Sequence, residues 1–176
     1  MNEDEMLIGK FSNIFIKLIV GIMSNDLKDI KHYLSSDLIN RYQSMIDNNI
    51  ANHEIRCLDE PNVKQINIEK RENEDDFEVI HINLVSRYMD YYIDSDTMEY
   101  KRGNNSSRVE ISHDLIFKKR IDALNNNNVI KCPSCGSNLD PNNSGYCNYC
   151  GVINSAEKYD YVLYEVTNLW VKRIKY

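Results

Sequence analysis

The chain has 176 residues, which is room for one ordinary domain and a small additional module. Its hydrophobic fraction of 42% and charged fraction of 27% are typical of a folded protein and not of a disordered one. The formal net charge of −6 argues against general nucleic-acid binding, because phosphate contacts need clustered Lys and Arg. It also argues against adhesion to anionic lipid by bulk charge alone.

The N-terminus, MNEDEM, is acidic, whereas a secretory signal begins with a basic region. The apolar stretch that follows, FSNIFIKLIVGIM, is interrupted by Lys17, and its longest uncharged run is far shorter than the ~20 residues of a membrane span. We therefore interpret this stretch as an amphipathic core helix and expect a cytoplasmic protein. Peripheral contact with a membrane stays open, because Lys10 and Lys17 flank the apolar face.

The first fifty residues have a helical period and predict three helices. The first helix places its apolar residues three and four positions apart, at Leu7, Phe11, Ile14, Phe15, Leu18 and Ile22. Ser24-Asn25-Asp26 predicts the start of a second helix over residues 27–34, and Ser35-Ser36-Asp37 predicts the start of a third. The first helix carries more apolar residues than one buried stripe needs, which leaves a homodimer open.

The period then changes to two, which predicts strands. We expect short extended pieces around Pro61 and long strands over residues 77–89, 108–120 and 159–174. Turns are predicted at Asp94-Ser95-Asp96 and over residues 103–107. Helices followed by a meander of strands indicate an α+β protein.

Four of the five cysteines form two CxxC pairs, with the ligand spacing of a metal site: Cys132, Cys135, Cys147 and Cys150. Glycines at 136 and 151 follow each pair and permit the left-handed turn that such a knuckle needs. Four thiolates fit one tetrahedral Zn²⁺ and leave no position for substrate, so we predict one structural zinc ion. Iron in the same geometry and redox chemistry of a CxxC pair are the competing interpretations.

The cysteine module lies between the last two predicted strands, and an asparagine-rich linker over residues 125–128 precedes it. The predicted organisation is a body over residues 1–125, a zinc-ribbon insertion over 126–156 and the last strand of the body over 157–176. Between Cys132 and Cys150 the only charged residue is Asp140, so we do not expect the module to bind nucleic acid.

The order of these parts resembles the zinc-ribbon members of the bacterial Tim44-like family, within the NTF2-like superfamily. Three segments carry the resemblance: DYYIDSDTMEYKRG, ISHDLIFKKR and KYDYVLYEV. Met98 stands where that family's hairpin has Gly. The resemblance implies a cone of N-terminal helices packed on a curved antiparallel sheet, with an apolar pocket. In the mitochondrial relatives that pocket is linked to membranes and to the protein import machinery.

We therefore predict a non-enzymatic protein that binds a protein partner or an apolar ligand or lipid in the cone. The alternative is a small-molecule enzyme of the NTF2-like fold that uses pocket His and Asp residues for proton transfer. Its candidate residues are His81, His113, Asp90, Asp94 and Asp114. Of the other candidates, His32 and His53 are predicted to lie on the surface, and Cys57 to pack as a small apolar residue.

Overall fold

The computed structural model describes residues 2–122, 130–139, 147–152, 156–158 and 160–174, without the side chains at 130 and 158. The helices are α1 (Glu3–Met23) and α2 (Ser36–Ala51), with short 3₁₀ turns at Lys31–Tyr33 and Ala156–Lys158. The strands are β1 (Glu54–Glu74), β2 (Phe77–Asp94), β3 (Tyr100–Arg120), β4 (Ile130–Lys131), β5 (Asn138–Leu139) and β6 (Val162–Arg173). The asparagine-rich linker, Asp140 and the turn before Cys147 lie outside the described residues.

Helix α1 begins with a capping box, in which Asn2 accepts from the backbone of Glu5 and the Glu5 carboxylate accepts from the backbone of Asn2. Its predicted apolar face is buried against the sheet, at Leu7, Phe11, Ile14, Phe15, Leu18 and Ile22. By length and composition alone, α1 could also cross a membrane. Core helices meet the same criterion, and the buried stripe accounts for most of the apolar character of α1.

The predicted helix over residues 27–34 is wrong, since only the 3₁₀ turn Lys31–Tyr33 forms there. Leu27, Ile30 and Leu34 are nevertheless buried. The apolar spacing thus identified the buried residues correctly, whereas the predicted helical conformation of the backbone is wrong. Leu34 leaves the helical conformation to form a parallel bridge with Leu163. That tertiary contact outweighs the local helix preference. The predicted third helix is confirmed as α2, capped by Ser35.

The main sheet is antiparallel with strand order β1-β2-β3-β6. Strand β1 is one continuous strand, so the prediction of short pieces around Pro61 is wrong. Pro61 lies where the pairing shifts between Asp59 and Asn62, and a residue without an N–H costs no ladder hydrogen bond at such a bulge. These irregularities let long strands bend, which produces the curved sheet.

The turn at Asp94-Ser95-Asp96 is confirmed, because β2 ends there and β3 returns beside it. The turn predicted over residues 103–107 is wrong, since the chain continues in β3. Asn104 accepts from the backbones of Ser106 and Ser107 and forms a local excursion between the paired positions of Asn104 and Val109. Residues typical of turns here form a wide bulge and not a reversal.

One face of the sheet packs on α1 and forms the core. Ile80, Ile82 and Leu84 of β2 share this core with Leu115 and Phe117 of β3, as the alternation predicts. The ring of Phe11 stacks on Phe117 with centroids 4.0 Å apart. The result is an α+β body with an N-terminal helix on a curved antiparallel sheet.

Candidate functional site

The two CxxC pairs are built as matching knuckles in the segment between β3 and β6. In the first, the N–H of Gly136 donates to the carbonyl of Cys132 at 2.8 Å, and in the second Gly151 donates to Cys147 at 2.9 Å. Both glycines are left-handed, with φ of 74° and 72°. This is the conformation expected from the sequence, because residues with a Cβ adopt it only at a cost.

The four sulfurs lie within 4.8 Å of one another, and no disulfide joins them. The Sγ atoms of Cys132 and Cys150 are 3.7 Å apart, and those of Cys135 and Cys147 are 3.5 Å apart. Four sulfurs at a Zn–S distance of ~2.3 Å sit about 3.8 Å apart along the edges of a tetrahedron. The donor set and its spacing therefore fit one tetrahedral thiophilic ion.

The electrostatics of the cluster favour a cation. The hydroxyl of Ser137, 3.1 Å from the Cys147 sulfur, and the backbone N–H of Cys150 lower the pKa of Cys147 to about 5. At Cys150 the N–H of Val152 lowers the pKa, but burial and the three neighbouring sulfurs outweigh it and raise the pKa to about 11. Four thiolates repel one another, so a divalent ion would be needed to ionise them all.

A cleft of about 530 Å³ lies between α1, α2 and the helix-covered face of the sheet. Apolar side chains from both helices and the sheet form most of its wall: Phe15, Leu18, Ile19, Ile22, Met45, Leu58, Tyr88 and Val166. Its polar lining comes from Arg41, Tyr42, Arg56, His113, Thr167 and Asn168. An apolar wall with a few polar groups is the usual character of a small-molecule site.

His113 lies in this cleft, as its place on the inward face of β3 predicted, and it is buried. Both ring nitrogens have partners: Nε2 is 2.7 Å from the Ser86 hydroxyl and Nδ1 is 2.7 Å from the Asn168 side-chain oxygen. Burial lowers the pKa of His113 and outweighs the opposing effect of Asn168, so the ring is neutral. The two partners of the ring are thus a hydroxyl and an amide, and neither is a carboxylate.

Arg56 and Asp90 form a bidentate ion pair beside the cleft, with contacts of 2.9 and 2.7 Å. Burial opposes the charge of Arg56, but the hydrogen bonds and charge of Asp90 outweigh it and raise the pKa of Arg56. Next to this pair, burial raises the pKa of Tyr88 to about 12. Both side-chain oxygens of Asp90 are thereby occupied by the guanidinium of Arg56.

The other residues of the enzyme alternative lie apart from the cleft. His81 is on the opposite face of the sheet, where its Nε2 is 2.8 Å from Glu72. Asp94 accepts the backbone N–H groups of Asp96 and Thr97, which lower its pKa and form the turn. Asp114 is exposed. The structure thus brings His113 to the cleft, holds Asp90 beside it on Arg56, and leaves His81, Asp94 and Asp114 in other environments.

The prediction that His32 lies on the surface is wrong: it is 4% exposed, and burial lowers its pKa to about 4. The helix predicted around it would have placed it outward, and the irregular backbone turns it into the core instead. His53 is exposed and Cys57 is buried, as predicted.

Sequence reasoning missed the cleft residues Arg56 and Asn168 and their neighbour Ser86. Arg56 offered no distinct pattern, because a charged residue between Ile55 and Cys57 also fits a strand with one solvated face. Ser86 and Asn168 offered no sequence pattern either, since each contacts His113 only when β2, β3 and β6 lie side by side.

The opposite face of the sheet has two further features. A depression of about 650 Å³ is lined largely by polar residues such as His81, Asn83, Asp114 and Thr167. Glu72, Glu74 and His81 bring three ligand atoms within 4.8 Å of one another. Lys70 and Lys118 already neutralise the two carboxylates. The cleft is the better candidate, because two helices as well as the sheet enclose it.

The helix-on-sheet body and the cysteine centre define an α+β protein with an internal cleft and a candidate metal centre. The chain belongs to the Tim44-like domain family, whose model matches residues 3–129. The match spans α1 through β3 and ends just before the four cysteines. No curated protein matches the chain. Domains of this family are generally associated with protein or lipid interactions.

Proposed function

We propose that the chain is a non-enzymatic binding protein that holds an apolar or amphipathic ligand, such as a lipid, or an apolar segment of a protein partner, in its cleft. A structural zinc ribbon with four cysteine ligands accompanies this body, as in the bacterial zinc-ribbon members of the family. The observation that carries the proposal is the cleft itself, with apolar walls from α1, α2 and the sheet.

The polar lining supports binding over catalysis. The group that His113 could activate is the Ser86 hydroxyl, and Ser86 is completely buried, whereas a nucleophile must be open to its substrate. Arg56 is held by both oxygens of Asp90. These groups are fixed in place, which suits the orientation of a ligand more than proton transfer.

The zinc assignment rests on the chemistry of the donors. Cys132, Cys135, Cys147 and Cys150 would hold one ion, which supplies the cross-link that a segment with so little apolar content needs. In this proposal residues 126–156 form the ribbon, and residues 1–125 with 157–176 form the body. Zinc would supply structure only, because four thiolates close its coordination shell.

The charge distribution supports a partner other than nucleic acid. Lys118 pairs opposite Val162, and Arg173 pairs opposite Val109, so the two basic strand ends lie at opposite ends of the β3–β6 pair. They form no continuous basic stripe. We propose a cytoplasmic location, because paired CxxC thiols stay reduced and available to a metal in a reducing compartment.

The test uses a naphthalene sulfonate dye, an amphipathic aromatic anion, together with native mass spectrometry of co-purified lipid. Met45→Trp fills the cleft at a half-buried lining position and should abolish most dye binding. Met6→Trp makes the same change at an exposed position of α1 and should leave binding intact. Equal binding by both variants, with no co-purified ligand, would contradict the proposal.

A further inference from the structure

Strand β6 is at one margin of the sheet, and only its first half is covered along the outer edge. There the backbone of Ser35 donates to the carbonyl of Leu163, the Ser35 hydroxyl donates to Tyr164, and Arg41 donates to Val166. Among the described residues, no hydrogen bond to the outer edge is found over residues 167–173. We call this stretch the free edge.

The free edge carries three consecutive exposed apolar residues, Leu169, Trp170 and Val171, at 52%, 44% and 61%. From Thr167 to Val171 it contains no charge and no proline, the usual protections of an edge strand. Strand β1, at the opposite margin of the sheet, has both kinds of protection. It contains Pro61 and a series of charged residues over positions 69–72. The two margins of the sheet therefore differ in how they are protected against pairing.

The apolar side chains flank the free edge on both faces of the sheet. Trp170 is opposite Ser112, on the face away from α1, and the pairing skips Leu169, which lines the depression on that same face. Val171 is opposite Ile111, on the helix-covered face. A partner that contacts all three must therefore lie along the edge, as an added strand does.

We propose that the free edge pairs antiparallel with the free edge of a second copy of this chain, about a two-fold axis at Trp170. The pairing joins four strands and four strands into one sheet. It places the two Trp170 side chains next to each other. Because Leu169 is skipped here as it is in the pairing with β3, Lys172 lies opposite Thr167 of the second copy and diagonal to its Glu165, on the face away from α1.

This arrangement selects a second copy over an arbitrary peptide, because the edge complements itself. The two apolar Trp170 side chains meet at the centre, and no like charges lie opposite each other. The opposite charges of Glu165 and Lys172, at the two ends of the edge, attract each other across the two-fold axis. A strand pair of this length covers less area than a standard interface, so the dimer should form at micromolar and not nanomolar concentrations.

Trp170 is the only tryptophan of the chain, so its fluorescence reports on this edge directly. Sedimentation across a micromolar concentration series should show the mass rising from 20.7 kDa towards twice that value. Over the same series the emission should shift to the blue and acrylamide quenching should weaken, because Trp170 leaves water.

Val171→Lys should abolish both changes while the circular dichroism spectrum stays native, and Val20→Lys, at an exposed position of α1, should abolish neither. Lys172→Glu should weaken dimerisation about two- to five-fold, and the added change Glu165→Lys should restore it. A mass that stays at one chain, or a dimer that survives Val171→Lys, would overturn the proposal. So would an emission shift seen only with vesicles of anionic lipid, which would identify the edge as a membrane contact.

Discussion

His113 and Asn168 lie directly opposite each other on β3 and β6, with Nδ1 and Oδ1 2.7 Å apart. The amide oxygen can only accept, so Nδ1 carries the proton and Nε2 accepts from the Ser86 hydroxyl. Three strands are thereby joined through one neutral imidazole at the wall of the cleft. The relationship fixes the tautomer and limits what the histidine can do.

Asn168→Leu should lower the free energy of unfolding by about 1–3 kcal/mol, because it leaves the buried Nδ1–H of His113 without an acceptor. Asn168→Asp keeps the acceptor and adds a charge, so the pKa of His113 followed by NMR should rise. Thr167→Ala, at the exposed neighbouring position, is the control and should change neither quantity. A titration of His113 that is the same in wild type and Asn168→Asp would contradict the assigned pair.

His32 should make the protein less stable in acid. Its pKa is about 4 when folded, lowered by burial and by Lys17, against 6.5 for the free side chain. The unfolded chain therefore binds more protons, and stability that is fully present above pH 6.5 is lost as pH falls towards 4. The loss should reach about 3 kcal/mol near pH 4, since the two pKa values differ by about 2.5 units at about 1.4 kcal/mol each. In His32→Gln the contribution of this residue should disappear, so urea unfolding over that pH range should show a flatter profile.

Protein purified without added metal should contain one zinc per chain by elemental analysis. Cys147→Ser should lower that content sharply, whereas Cys57→Ser, at the buried cysteine outside the cluster, should not. Chelation should release the ion and leave a cooperative unfolding transition of the body, because none of the core residues in the described part of the chain belongs to the cysteine module. Four free thiols without metal, or two disulfides, would contradict the assignment.

Met98 and Gly103 provide a matched test of backbone conformation in the β2–β3 hairpin. Met98 is exposed and has a φ of 62°, so Met98→Gly should raise the free energy of unfolding by about 1 kcal/mol. Gly103 has a φ of 101°, and a Cβ there would lie 2.6 Å from the Cα of Tyr91. Gly103→Ala should therefore cost about 2–4 kcal/mol. Thermal and urea unfolding measure both, and a loss of stability in Met98→Gly would contradict this interpretation.

The sequence alone determined the features that depend on local spacing. The face of α1, the cap at Ser35, the alternation along β2 and β3 and the two cysteine knuckles follow from periods of 3.6 and 2 and from fixed motif spacings. These properties belong to short segments, so the segment contains the information.

Only the tertiary structure decided the features that depend on which segments meet. The bridge from Leu34 to Leu163 prevented the helix over residues 27–34 and turned His32 inward. The pairing of β2 with β3 converted the turn-like residues 103–107 into a bulge. Ser86, His113 and Asn168 became one group because three strands pair in one register. Contacts between residues distant in sequence carry no local pattern, and their energy outweighs the small differences in backbone propensity that the sequence reveals.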